Sequence, residues 1–195
     1  MNILGKALLG LGVIVSGTLL TLRITGLDPE YMDYTTEEYN QRGRMTYPGL
    51  WLSGELVREP VEDWDWVYDV DHPVRGNTIM LETRTWYGIP YSVTILPTAR
   101  GDKLYIGGSA RDARLEREFP HYKQWWTNVE RDPRVRLKID GKIYEMTAAL
   151  VHDPVELAEI LGRDPVTTTV AEDGTEQVVA KWYYWRVFQR NIAQY

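Results

Sequence analysis

With 195 residues, 44% of them hydrophobic and 26% charged, the chain has the composition of one globular domain with a short appendage, too apolar to stay disordered. A net charge of −6 counts against a nucleic-acid partner, because such proteins need a basic surface to displace phosphate counterions. The absence of cysteine excludes disulfides, thiolate nucleophiles, iron–sulfur ligation and cysteine zinc sites together.

Residues 1–24 read as a transmembrane anchor. No charge falls between Ala7 and Leu22, and the run is broken only by Gly, Ser and Thr. Extended to Ile3 and Ile24, a helix there would be about 33 Å long, enough for a hydrocarbon core of about 30 Å. Lys6 and Arg23 would reach the two interfaces. A cleaved signal peptide fits less well, since only Lys6 is basic and Leu20-Thr21-Leu22-Arg23 lacks the small-x-small cleavage pattern. The side of the membrane on which the rest of the chain lies stays open.

Residues 25–50 read as a connector. Thr35 and Glu38 have capping-box spacing and predict a short helix toward Arg44, ended by Pro48-Gly49. Residues 51–195 read as a mainly β domain. Strands are expected over 77–85, 90–96, 103–108, 134–140, 142–151 and 178–189, with short helices over 120–131 and 154–161. Trp86-Tyr87-Gly88-Ile89 joins the first two strands as a hairpin. Val135, Leu137 and Ile139 should face the core, while Arg134, Arg136 and Lys138 form a solvated stripe. Short hairpins favour an antiparallel barrel over a parallel sheet.

Trp (8) and Tyr (13) far outnumber Phe (2), which suits either half-buried strands or a ring-lined pocket for a flat ligand. His72, His121 and His152 are too scattered for a metal site. No G-x-S-x-G elbow or phosphate loop is present, so any chemistry would be carried by a cofactor.

Three segments in order carry a family likeness: Leu81-Glu82-Thr83-Arg84 with Gly88-Ile89-Pro90-Tyr91-Ser92-Val93-Thr94, then Leu104-Tyr105-Ile106-Gly107-Gly108-Ser109, then Trp125-Trp126-Thr127-Asn128-Val129 leading to Asp132-Pro133-Arg134-Val135. Over about residues 77–151 the chain resembles the split-barrel group that includes pyridoxamine-phosphate oxidases and deazaflavin-dependent nitroreductases. The resemblance implies an antiparallel split β-barrel with two or three short helices, and a flavin or F420 in a groove, often beside a dimer partner. Carried over position by position, Ser109 matches a phosphate-contacting serine, and Trp125 and Asn128 match the helix motif; Arg84, Ser92, Thr94 and Arg111 are the further candidates for holding the cofactor, and Tyr91 is the best candidate for a catalytic acid.

The chain departs from the family pattern at three places. Trp86 stands where deazaflavin enzymes carry a basic residue, Tyr91 where they carry arginine, and Ala110 where lysine would follow Ser109. FMN, with a single phosphate, tolerates these changes better than the long anionic tail of F420. The expected function is therefore a membrane-anchored oxidoreductase that uses FMN, or F420, to reduce a small hydrophobic and quinone-like substrate. The alternative is a cofactor-free split barrel serving as a subunit or assembly factor of a membrane complex. Expected partners are the membrane and either a second copy of the chain or a membrane-protein complex.

Overall fold

The computed structural model describes residues 3–31, 46–70, 78–111 and 124–190. The helix expected over 35–44, the start of that expected over 120–131, and His72 and His121 lie outside the described residues.

The chain opens with α1 (Ile3–Thr25), 23 residues with no buried side chain. At 1.5 Å per residue it is about 34 Å long, and it is long and apolar enough to cross a membrane. The hydroxyls of Thr18, Thr21 and Thr25 donate to the carbonyls of Ile14, Gly17 and Thr21 at 2.9, 2.9 and 3.0 Å. These side chains therefore bring their own hydrogen-bond partners into an apolar surrounding.

Eleven strands, two further helices and one 3-10 turn follow among the described residues. They are β1 (Glu30–Tyr31), β2 (Thr46–Tyr47), β3 (Glu55–Leu56), the turn Asp65–Asp69, β4 (Ile79–Thr83), β5 (Tyr91–Ile95), β6 (Pro97–Arg100), β7 (Lys103–Arg111), α2 (Gln124–Arg131), β8 (Arg134–Ile139), β9 (Lys142–Leu150), α3 (Pro154–Leu161), β10 (Val166–Val170) and β11 (Glu176–Gln189). Seven strands form one curled path, β5-β4-β8-β9-β11-β7-β6, with every neighbouring pair antiparallel. The mainly β, antiparallel split-barrel architecture expected from the sequence is the architecture found.

β11 is the spine. Along one edge it pairs with β7 from Ala180 to Val187. On the other it pairs first with β10 and then, from Trp185, with β9. That change of neighbour is where the sheet splits.

Alternation along the strands builds the core. Leu81 and Val93, Leu104 and Ile106, Val135, Leu137 and Ile139, and Trp185 and Val187 all turn inward and are buried. α2 adds Trp125, Trp126 and Val129 to this cluster, and Trp64 and Val67 join it from in and beside the 3-10 turn. Fully burying residues of this size contributes roughly 1.5–3 kcal/mol each. α3 packs Ile160 and Leu157 on the outer face against Tyr105 and Tyr184, and the Tyr105 hydroxyl donates to Glu156 at 2.7 Å.

The two described ends of residues 25–50 are built into the barrel surface. α1 stops at Gly26, whose φ of +79° is the left-handed turn that ends helices, with its N–H bonded to the Leu22 carbonyl at 2.8 Å. Leu27 and Leu50–Trp51 then exchange backbone bonds of 2.8 Å, β1 pairs with β2, and Gly49 pairs with Ser92 on the free edge of β5. Asp28 accepts from Ser53 and from the Lys138 ammonium. Residues 26–31 and 46–53 thus form a strap on the β5-β4-β8 end of the sheet, with no free linker between α1 and its first contact.

The strap changes the reading of the Arg134-Arg136-Lys138 stripe. Only Arg134 is exposed, forked onto Asp132 at 2.7 and 2.8 Å. Arg136 pairs with buried Glu82 at 3.0 Å, and Lys138 with Asp28. Charges facing outward on the sheet became partners for the segment laid over it.

Candidate functional site: a groove between the β4–β5 hairpin and α2

The hairpin and the helix are held together by specific bonds. Asn128, buried on α2, donates from Nδ2 to the Thr83 hydroxyl at 2.9 Å, and that hydroxyl donates on to the Tyr91 carbonyl at 3.1 Å. The Arg131 guanidinium, one turn further along α2, donates to the Arg84 carbonyl. The hairpin closes through Gly88, at φ +85°, with Thr85 donating to the Ile89 carbonyl. Between the two elements lies a groove of about 260 Å³, lined by Thr85, Trp86, Tyr87, Gln124, Thr127, Asn128 and Arg131.

One wall of the groove is aromatic and open. Trp86 is 80% exposed and Tyr87 51%, their rings perpendicular with centroids 5.3 Å apart. They line the groove without filling it. Such exposed rings bring no stability to the folded chain, which is the opposite of what Trp125 and Trp126 do. Those two are buried and stack edge-on at 5.7 Å, with Trp125 also 5.2 Å from Trp185. Trp125 is therefore a packing residue that sets the position of Asn128 and Arg131.

Beside the groove lie charges of both signs. Burial, together with the nearby Arg84 and Arg134 cations, holds the Arg190 guanidinium below its ordinary value, against the pull of Glu145. The Asp132 carboxyl lies below its usual range, held there by the hydrogen bonds from Arg134. Arg84, Arg134 and Arg190 are thus offset by Glu82, Asp132 and Glu145, and Arg131, bonded to the backbone of Arg84, is the arginine that lines the groove.

The sequence-derived site residues fall into three places. Asn128 lines the groove, whereas Arg84 reaches α2 only through its backbone carbonyl and Trp125 is buried in the core. Ser92 and Thr94 lie on β5 with buried hydroxyls that have no hydrogen-bond partner, and Ser92 is covered where Gly49 pairs with it. Tyr91 is half-buried against the core. Ser109 and Arg111 stand on β7, where Ser109 pairs with Trp182, and the side chain of Arg111 lies outside the described residues. Three strands, β8, β9 and β11, separate β7 from β4 along the sheet.

Sequence reasoning missed Arg131, Arg190, Gln124 and Thr127. Arg131 had a usable signal, since it follows Asn128 at i+3 and so shares its helical face. Arg190 had none, because it is brought in by the end of β11, where it donates to the Met146 carbonyl at 2.9 Å. Among the described residues no group of three His, Asp or Glu side chains could hold a metal ion.

No family model matches this chain, and no curated protein matches it. Solved structures do. The chain is similar in fold to pyridoxamine 5′-phosphate oxidase-like proteins. One is a Listeria innocua protein named as a candidate pyridoxamine 5′-phosphate oxidase, 14% identical, with a TM-score of 0.37 and coverage of 58% of this chain and 83% of that one. Another is a conserved hypothetical protein from Mycobacterium tuberculosis, also 14% identical, with a TM-score of 0.36 and coverage of 69% and 86%. The reading of the site rests on this chain's own residues.

Proposed function

We propose that the chain is a membrane-anchored oxidoreductase that holds FMN at the groove between the β4–β5 hairpin and α2 and reduces a small hydrophobic, quinone-like substrate. The observation that carries this reading is an exposed aromatic pair, Trp86 and Tyr87, on the wall of a groove that also holds Arg131. An exposed pair of rings on a groove wall offers a flat ligand a surface to stack on. Clustered guanidinium groups suit a phosphate. A bound flavin would supply hydride transfer, and the chain's own part is to seat the ring, neutralise the phosphate through Arg84 and Arg131, and shield the ring from water.

Size supports a shared site. Enclosed ligand pockets run from about 300 to 1,000 Å³, so a groove of about 260 Å³ seats only part of an FMN molecule. The remainder would be covered by a second surface. F420 fits less well, since its longer anionic tail needs a basic track and the arginines here are gathered at one place. Tyr91 is the candidate proton donor, though its half-buried position requires the hairpin to open. α1 suits the reading by confining the protein near a lipid-soluble substrate.

The second reading, a cofactor-free subunit of a membrane complex, is favoured by one observation: Ser109 and Arg111 stand apart from Arg84, and Ser92 is covered. Absorbance and fluorescence spectra of the detergent-purified full-length protein, alone and with FMN or F420, decide between them. A saturable flavin spectrum that is lost in Arg131→Ala supports the oxidoreductase. A colourless protein that binds neither cofactor overturns it in favour of the second reading.

A further inference from the structure

We propose that two copies of this chain join edge to edge through β10, pairing antiparallel about Thr168 to extend the β10–β11 ribbon into a four-stranded sheet. The inference is independent of the cofactor reading and starts from β10 itself.

β10 pairs with β11 along one edge, and among the described residues no strand pairs with the other. Natural edges are usually blunted by charge, proline or a bulge on the edge strand. β10 itself has none of these, and the one guard among the described residues is at its start, where Asp164 accepts from the Val166 N–H at 2.8 Å and would have to release it for the second strand. Its five residues, Val166-Thr167-Thr168-Thr169-Val170, are uncharged and nearly all β-branched, which favours a flat extended strand. The ribbon does contain a bulge, but the extra residue is Val179 on β11, because Thr167 pairs with Ala180 and Thr168 with Val178. The edge strand stays regular.

The decisive feature is that β10 reads the same in both directions. A two-fold contact between identical strands is antiparallel and places residue i against a fixed partner j, and j against i. Centred on Thr168, the register sets Thr168 against itself, Thr167 against Thr169 of the second copy, and Val166 against Val170. Every pair is then Val–Val or Thr–Thr, both favourable across strands. Sliding by one residue would mix Val with Thr and move the valines to the opposite face.

The same register gathers exposed apolar surface. Val166 is 38% exposed, Val170 70% and Val178 42%, and Val178 lies directly across from Thr168 on β11. Joining the ribbons puts these three valines and their copies on one sheet face. At the flanks, Asp164 would approach Glu172 of the second copy and Arg163 would approach Asp173, one repulsive and one attractive pair. A five-residue edge is a weak contact in free solution. Copies confined to one bilayer by α1 would meet at a far higher effective concentration.

The chain contains no cysteine, so Thr168→Cys makes a protein with a single thiol lying on the proposed two-fold axis. The full-length variant, in lipid vesicles under mild oxidation, should run largely as a dimer that reducing agent dissolves. Val155→Cys on α3, a site 63% exposed, is the collision control and should stay monomeric. Register is tested with Val166→Cys and Val170→Cys carrying tags of different size. Mixed together they should cross-link to each other, while each alone should not, because like positions would sit about 13 Å apart and a disulfide needs Cα atoms within about 7 Å. A monomeric Thr168→Cys, cross-linking no faster than the control, or homotypic linkage of Val166→Cys equal to the mixture would overturn the proposal.

Discussion

Glu82 shows how one buried charge organises this surface. Its carboxylate, 7% exposed, accepts from the Leu52 N–H at 2.7 Å and pairs with Arg136 at 3.0 Å. Burial pushes the carboxyl above its ordinary range, against the opposing pull of the Leu52 N–H and Arg136. Arg136→Met would leave that charge buried with only its backbone donor, and breaking a buried pair in this way costs roughly 3 kcal/mol or more. A denaturant melt of the variant should show a loss of that size. Because the folded-state value is raised above 4.5, stability from Glu82 is present below pH 4.5 and is lost as pH rises through the folded value. Asp28 behaves in the opposite sense. Burial pushes its carboxyl up, but the hydrogen bond from Lys138 and those from Ser53 outweigh it and hold it below 3.8. Its contribution is therefore present above pH 3.8 and lost as pH falls through the lower folded value. Asp28→Asn should lower stability at neutral pH by about 1 kcal/mol, as expected for a partly exposed pair. Thermal melts as a function of pH should show the gap to the parent protein closing under acid.

At the scale of elements, α2 carries the site because its two faces do different work. Trp126 is fully buried among Trp125, Tyr183 and Trp185, and Trp126→Ala should cost about 3–5 kcal/mol. Asn128→Ala removes the bond to Thr83 and should cost about 1–2 kcal/mol, and it should weaken ligand binding at the groove more than that loss of stability explains. Equilibrium unfolding beside a binding titration separates the two effects. The long strands β4, β5, β7, β8, β9 and β11 and the helix at Pro154–Leu161 were legible, since alternation, turn residues and an Asp-Pro helix start all point the same way. The Asp153 side chain does cap that helix, accepting from the Val155 N–H at 2.9 Å. What escaped had no local pattern. β1, β2 and β3 are two residues long and exist only through distant partners, β6 begins on a proline, and β10 does not alternate because both its faces are largely exposed. At the groove, the contiguous helix motif leads to Asn128 as a lining residue, while Trp125 from the same motif packs in the core and Arg84 meets α2 through its carbonyl. The surroundings of the groove were not legible where the end of β11 brings in Arg190, because that contact leaves no spacing in the sequence.

At the scale of the whole molecule, the apolar helix α1 and the barrel meet without a tether. Gly26 ends α1, and a Cβ there would lie 2.6 Å from Ser53 Cβ and 2.9 Å from Ser53 N. Gly26→Ala should strain the junction by about 1–2 kcal/mol from the left-handed backbone alone, and hydrogen exchange at the Leu27 and Leu50 amides should quicken. The strap docks beside Lys138, which lies at the level of Met80, whereas the groove opens beyond Thr83 at the other end of β4. A lipid-soluble substrate would thus have to present its head group to the groove. Whether this groove holds a flavin, as proposed, is read directly by an equilibrium titration of the full-length protein with FMN, followed by flavin fluorescence, beside the Trp86→Ala and Arg131→Ala variants. The account predicts saturable binding at one site per chain, weakened at least tenfold by either substitution while the thermal melt is unchanged in Trp86→Ala. No saturable binding by the parent protein, or binding that both variants retain in full, would contradict it.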